Sequence, residues 1–182
     1  FYSVEMMDNK PETFLYEKWS EDRDRAIARD IIQKNELEEI KKAAELEQIR
    51  IIPVKGFFIK GLYPHSDMRF MADLDILIDS EKRQSLRKIT PCDKKLHSYY
   101  KSVWEYALET SPYYYSFGLE DNFIYFTAHM AKHYYAGGTG IRSVIDFYLF
   151  LKKYKNSMDF NYIWSEFKKL GLCSFYEMMA DL

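Results

Sequence analysis

The chain has 182 residues and a mass of 21.9 kDa, room for one domain, or for a small α/β domain with a helical appendage, around a buried core. Its 26 basic and 28 acidic side chains leave a net charge of -2, which argues against the basic field of a general nucleic-acid binder. No apolar run approaches the roughly 20 residues of a membrane span and the first residues show no charged-then-apolar leader, so a soluble, cytoplasmic protein without a membrane partner is expected.

Residues 11 to about 48 read as one helix, with Ala26, Ile27, Ile31 and Ile32 and then Leu37, Ile40, Ala44 and Leu46 at helical spacing among charges. The β-branched run from Ile49 to Val54 reads as a buried strand stopped at Lys55-Gly56, with a short helix from Phe57 to about Leu62. Tyr63-Pro64-His65-Ser66-Asp67 is a loop that feeds a second strand over 74–79. Extended in that strand, Asp73 and Asp75 share one face while Leu74 and Ile76 point to the other, because strand side chains alternate.

From about Lys101 onward every segment reads as helix: 103–108, 122–135, 141–154, 160–170 and a last piece after Gly171. The 16 Tyr and 13 Phe, concentrated after residue 98, read as bundle core rather than as a base-stacking surface. The expected division is 1–98, N-terminal helices with the α/β core, and 99–182, a C-terminal helical bundle. Cys92 and Cys173 match neither a metal spacing nor a disulfide framework and read as plain thiols.

Two carboxylates on one strand face repel, and burying either alone is unfavourable, so a cation between them is expected. Magnesium suits the place, since it takes oxygen ligands from one or two carboxylates together with substrate phosphates. The plainer alternative is a strand end whose aspartates reach solvent or cap a helix. Lys55-Gly56 offers an ammonium and a close backbone approach for phosphate oxygens, and Arg69, four residues before Asp73, offers a second cation unless it is an ordinary surface arginine. His129 and His133 stand on one helix face at the spacing of two zinc ligands, yet no third ligand lies nearby in sequence. They read instead as rings packed among aromatics or hydrogen-bonded to Asp146, facing the cleft beside the aspartates. His65 and His97 lie in loops and carry no argument.

Val54-Lys55-Gly56-Phe57, Leu62-Tyr63-Pro64 and Arg69-Phe70-Met71-Ala72-Asp73-Leu74-Asp75-Ile76-Leu77-Ile78 resemble a poorly characterised bacterial nucleotidyltransferase family of the polymerase-β superfold. Ala128-His129-Met130-Ala131-Lys132-His133, with Gly138, Ile141-Arg142 and Asp146, resembles the family's helical half. The resemblance implies an α/β (α+β) fold: a minimal nucleotidyltransferase core with a small mixed sheet, an N-terminal helical segment and a C-terminal bundle. It implies Asp73 and Asp75 as catalytic, metal-binding residues for magnesium or manganese, and Lys55, Gly56, Arg69, His129 and His133 as the nucleotide- and phosphate-binding set. The implied reaction moves a nucleoside monophosphate from a nucleoside triphosphate, ATP, to an acceptor hydroxyl or phosphate.

Two departures from the family pattern stand out. Phe57 follows Gly56 where such turns usually place Gly or Ser. A third carboxylate, usual on a later strand, is not found between Asp79 and Tyr99. Either the chain lacks that ligand or a segment bearing it is missing near Ile89 to Lys94. The rival expectation is therefore a non-catalytic nucleotide-binding or antitoxin-like partner-binding protein.

Overall fold

The computed structural model describes residues 1–79 and 99–182. A short helix α1 (Tyr2–Glu5) precedes the long helix α2 (Thr13–Leu46), which at 34 residues runs about 50 Å. Then come β1 (Ile51–Pro53), α3 (Gly56–Lys60), a 3-10 turn at Ser66–Met68 and β2 (Ile76–Ile78). A second 3-10 segment, Tyr100–Glu105, leads to β3 (Leu108–Ser111) and β4 (Tyr114–Ser116). Helices α4 (Leu119–Gly137), α5 (Ile141–Tyr154), α6 (Phe160–Leu170) and α7 (Cys173–Ala180) complete the chain. The fold is mixed α+β: a small mixed sheet in the order β2-β1-β4-β3 with helices at both termini.

Three sequence expectations change. Residues 108–116 form a hairpin rather than helix. Ser111-Pro112 makes a turn between β-prone stretches, Tyr113 takes the left-handed φ of 60° there, and the half-buried Tyr114 and Tyr115 suit a pleated surface. Because β4 pairs in parallel with β1, the sheet takes strands from both sides of residue 98, and a division at that point does not part core from bundle.

The strand after the loop is only Ile76–Ile78, so Asp73 lies in a bend ahead of it and Asp75 just before it. Pro53, opposite Ile76, has no N–H to give, and the pairing ends one bond later where the Val54 N–H donates to the Asp75 carbonyl at 3.0 Å. On α2 the buried positions are Asp30, Gln33, Leu37 and Ala44, while Ile31, Ile32 and Leu46 are exposed. The helix therefore presents a partly polar stripe to the rest of the protein.

The aromatic reading holds. Phe123 and Phe126 of α4, Phe147 and Phe150 of α5, Phe167 of α6 and Phe175 of α7 are buried in one cluster that also takes in Ile59 of α3. Each fully buried Phe contributes on the order of 2–3 kcal/mol of transfer free energy, so this cluster anchors the site-bearing helix α3 to the bundle. Asp159 caps α6 by accepting from the Asn161 and Tyr162 amides, and Gly171 ends it with φ 73°.

Candidate active site

The site begins where β1 meets α3. Lys55 sits at that junction with φ 54° and ψ -85°, a left-handed backbone that costs a non-glycine residue on the order of 1–3 kcal/mol. Gly56 follows in close contact with the strap: a Cβ there would lie 2.1 Å from the Met71 sulfur, so any larger residue would displace that side chain. The glycine thus lets the segment that leads to Asp73 lie directly over the start of α3.

That segment is pinned residue by residue. Arg69, 4% exposed, donates from Nε and Nη2 to both oxygens of the buried Asp146 of α5, at 2.8 to 3.1 Å. The Phe70 carbonyl accepts from Arg142 at 2.9 Å, and the Met71 carbonyl accepts from the Gln33 amide at 2.7 Å. Helices α2 and α5 therefore clamp one short strap between them, and Asp73 and Asp75 emerge from its end.

Lys55 reaches into the space beside them. Its Nζ is 3.6 Å from the Asp75 carboxylate and 3.4 Å from His129 Nε2, and His129 Nε2 is 3.4 Å from His133 Nε2. Burial pulls the Lys55 ammonium below its usual range against the attraction of Asp75 and Asp73, with Arg69 adding to the lowering. Burial lowers His129 to about 3, helped by the charges of Lys55, His133 and Lys132, so its ring is neutral at ordinary pH. A neutral ring whose proton sits on Nδ1 leaves Nε2 free to accept from Lys55.

The structure brings Lys55, Gly56, Asp75, His129 and His133 together, with Asp73 close enough to act on the Lys55 charge. Asp73 itself is exposed, and Asp75 already has Lys55 beside it. Repulsion within the pair is relieved by water and an ammonium, so it does not by itself demand a metal ion. Arg69 is a buried anchor whose fork is occupied by Asp146, and Asp146 holds Arg69 and the Tyr63 hydroxyl rather than a histidine. Among the described residues no third His, Cys, Asp or Glu joins a cluster able to hold a metal. The stretch Ile89 to Lys94, Cys92 and His97 lie outside the described residues.

Sequence reasoning missed Asp30, Gln33 and Lys60. Lys60 Nζ, buried, donates to Asp30 at 2.6 Å and to Gln33 at 2.8 Å, and Ser66 and Lys34 also reach Asp30. Asp30 and Gln33 fall on the same helical stripe as Leu37, a polar pair at core positions that could have flagged them.

A carboxylate pair at a strand end, opposite a lysine turn that opens a helix, is the arrangement that the resemblance leads one to expect. A family described as uncharacterised nucleotidyltransferase matches residues 1–90 and, a second time, residues 87–182, and the chain belongs to that family. No curated protein and no solved structure matches the chain. No helix among the described residues is long and apolar enough to cross a membrane.

Proposed function

We propose that this nucleotidyltransferase domain binds a nucleoside triphosphate, ATP by the resemblance, with magnesium or manganese at Asp73 and Asp75, and transfers its nucleoside monophosphate to an acceptor hydroxyl or phosphate. One observation carries the reading: the Lys55 ammonium, held on a strained backbone, stands 3.6 Å from Asp75 with a neutral imidazole as its other neighbour. So partnered, it is a cation only loosely committed to the fold and ready for a stronger anion.

The donor set fits a hard divalent ion, since two carboxylates completed by phosphate oxygens and waters are enough for magnesium. Bound there, the ion would neutralise phosphate charge as transfer proceeds. Lys55 takes the phosphates, and Gly56 keeps the approach open. His129, uncharged, neither competes for Asp75 as a second cation nor repels the Lys55 ammonium and the metal ion. The acceptor oxygen forms its bond to the α-phosphorus as the α–β bridging P–O bond breaks; pyrophosphate leaves with the electron pair and the acceptor's proton passes to water.

One observation favours a second reading, nucleotide binding without transfer. The strand parallel to β1 is β4, whose Tyr114-Tyr115-Ser116 carries no carboxylate. Calorimetry with ATP, with and without magnesium, on the parent and on Asp73→Asn and Asp75→Asn tests the binding. Magnesium-dependent binding lost in both variants supports the site, and unchanged binding removes it. Pyrophosphate release on incubation with candidate acceptors separates transferase from binder.

A further inference from the structure

Among the described residues the arginines fall into two groups. Arg23, Arg25, Arg50 and Arg69 each hold a carboxylate. Arg29 of α2 and Arg142 of α5 hold none, in a chain whose acidic side chains outnumber its basic ones. These two converge on one ring. The Arg29 guanidinium lies 4.7 Å and the Arg142 guanidinium 6.0 Å from the centre of Phe70, itself 48% exposed.

An exposed phenylalanine between two carboxylate-free arginines is poorly explained by packing. The ring holds each guanidinium by cation–π attraction, which uses the flat face and leaves the N–H edge for an acceptor. Arg142 uses one N–H on the Phe70 carbonyl; the Arg29 side chain has no hydrogen-bond partner among the described residues. Phe70 lies on the clamped strap three residues before Asp73, so the pair of cations is carried on the segment that leads to the proposed metal carboxylates. Lys55 approaches those carboxylates from the β1–α3 junction, whereas Arg29 and Arg142 come from α2 and α5 and flank the strap ahead of them. A triphosphate on Lys55 leaves the arginines for a second anion.

We propose that Arg29 and Arg142, oriented by Phe70, bind an oxyanion of the acceptor, a phosphate or a carboxylate next to the group that receives the nucleotide. This rests on the transferase reading and names the acceptor's chemistry: it is an anionic molecule. Fork-shaped guanidinium edges match either oxyanion, and the exposed position makes the attraction sensitive to salt.

Titration of the arginine Nε–H resonances of the labelled chain with inorganic phosphate and, separately, with acetate, each with and without MgATP, tests it. Phosphate or acetate is expected to shift Arg29 and Arg142 with MgATP present, and affinity is expected to fall about tenfold in Arg29→Gln, as for loss of one charge-assisted contact. Arg29 is the deciding variant, because removing Arg142 also frees the Phe70 carbonyl. A stronger response to phosphate assigns a phosphorylated acceptor and a stronger response to acetate a carboxylate one; both uphold the clamp. No shift with either anion overturns it, as does displacement of the anion by MgATP or an Arg29→Gln chain that binds as tightly as the parent. If MgATP fails to bind the parent, the transferase reading falls while the titration without nucleotide still decides the clamp.

Discussion

Two lysines of one short stretch meet aspartates in opposite ways. Lys60, at the end of α3, is buried and donates at 2.6 Å to Asp30, whose oxygens also receive Ser66 and Lys34. Lys55, at the start of the same helix, stands 3.6 Å from Asp75 on a strained backbone with a neutral ring for its other neighbour. The first pair is saturated with hydrogen bonds and serves the fold; the second is loose, and in the proposed function it is the one that takes a ligand. The lesson is that satisfaction of a charge, more than its burial, separates a structural ion pair from a site.

The largest way to break the contrast is Lys60→Met. Removing one partner of a buried, hydrogen-bonded pair leaves Asp30 and Gln33 short of donors, and urea unfolding is expected to show a loss of about 3 kcal/mol. The strap should loosen with it, because Gln33 also holds the Met71 carbonyl. Lys55→Met is the counterpart. Its pair is long and partly exposed, so stability should move by less than about 1 kcal/mol, while calorimetry should find ATP bound more than about tenfold more weakly. A stability loss equal to that of Lys60→Met would erase the distinction.

Acid titration sharpens it further. Burial pushes Asp30 up, but hydrogen bonds from Lys34, Lys60 and Ser66 outweigh it and hold the carboxyl at about 2, below its ordinary 3.8. Its contribution is therefore present above pH 3.8 and lost as pH falls toward 2, and Asp30→Asn should flatten that limb. His129 works in a different window. With its folded value near 3 against 6.5, the folded state binds fewer protons than the unfolded one, so stability declines as pH drops from 6.5 toward 3. His129→Gln should remove that slope, as read from urea midpoints between pH 3 and 7.5, and an unchanged slope would mean the ring is not buried beside Lys55.

The smallest effect belongs to Thr127, whose fully buried hydroxyl has no hydrogen-bond partner among the described residues. Thr127→Val is expected to leave stability unchanged or raise it by under about 1 kcal/mol in the same unfolding assay, since no hydrogen bond is lost.

Much of the frame is legible in residue order because its causes are local. The long helix-prone run makes α2, although the apolar face read from Ile31 and Ile32 is exposed, the β-branched Ile49 to Val54 run makes β1, and the chain turns at Lys55-Gly56 into α3. The helices after residue 118 follow from aromatic spacing and from the Asp159 and Gly171 caps. The hairpin at 108–116 has its own local signals, Ser111-Pro112 and the tyrosine run, but tyrosines among so many aromatics fit helical core equally well. Asp73 and Asp75 read as strand residues but lie ahead of β2, because Pro53 shortens the ladder that would have carried them.

Sequence by itself determines which groups are available: the Asp-x-Asp pair, the lysine turn, the His129 and His133 face and the family to which they belong. Only the tertiary structure decides what each one does. Lys55 meets His129 across 74 positions, and Arg69 meets Asp146 across 77, so no local period records either contact. Partnering within the fold then sorts chemically equal residues, making Arg69 an anchor on Asp146 and leaving Arg29 without a carboxylate among the described residues. The cause is that a buried charge must find its partner within the fold, whereas an exposed one is stabilised by water until a ligand displaces it.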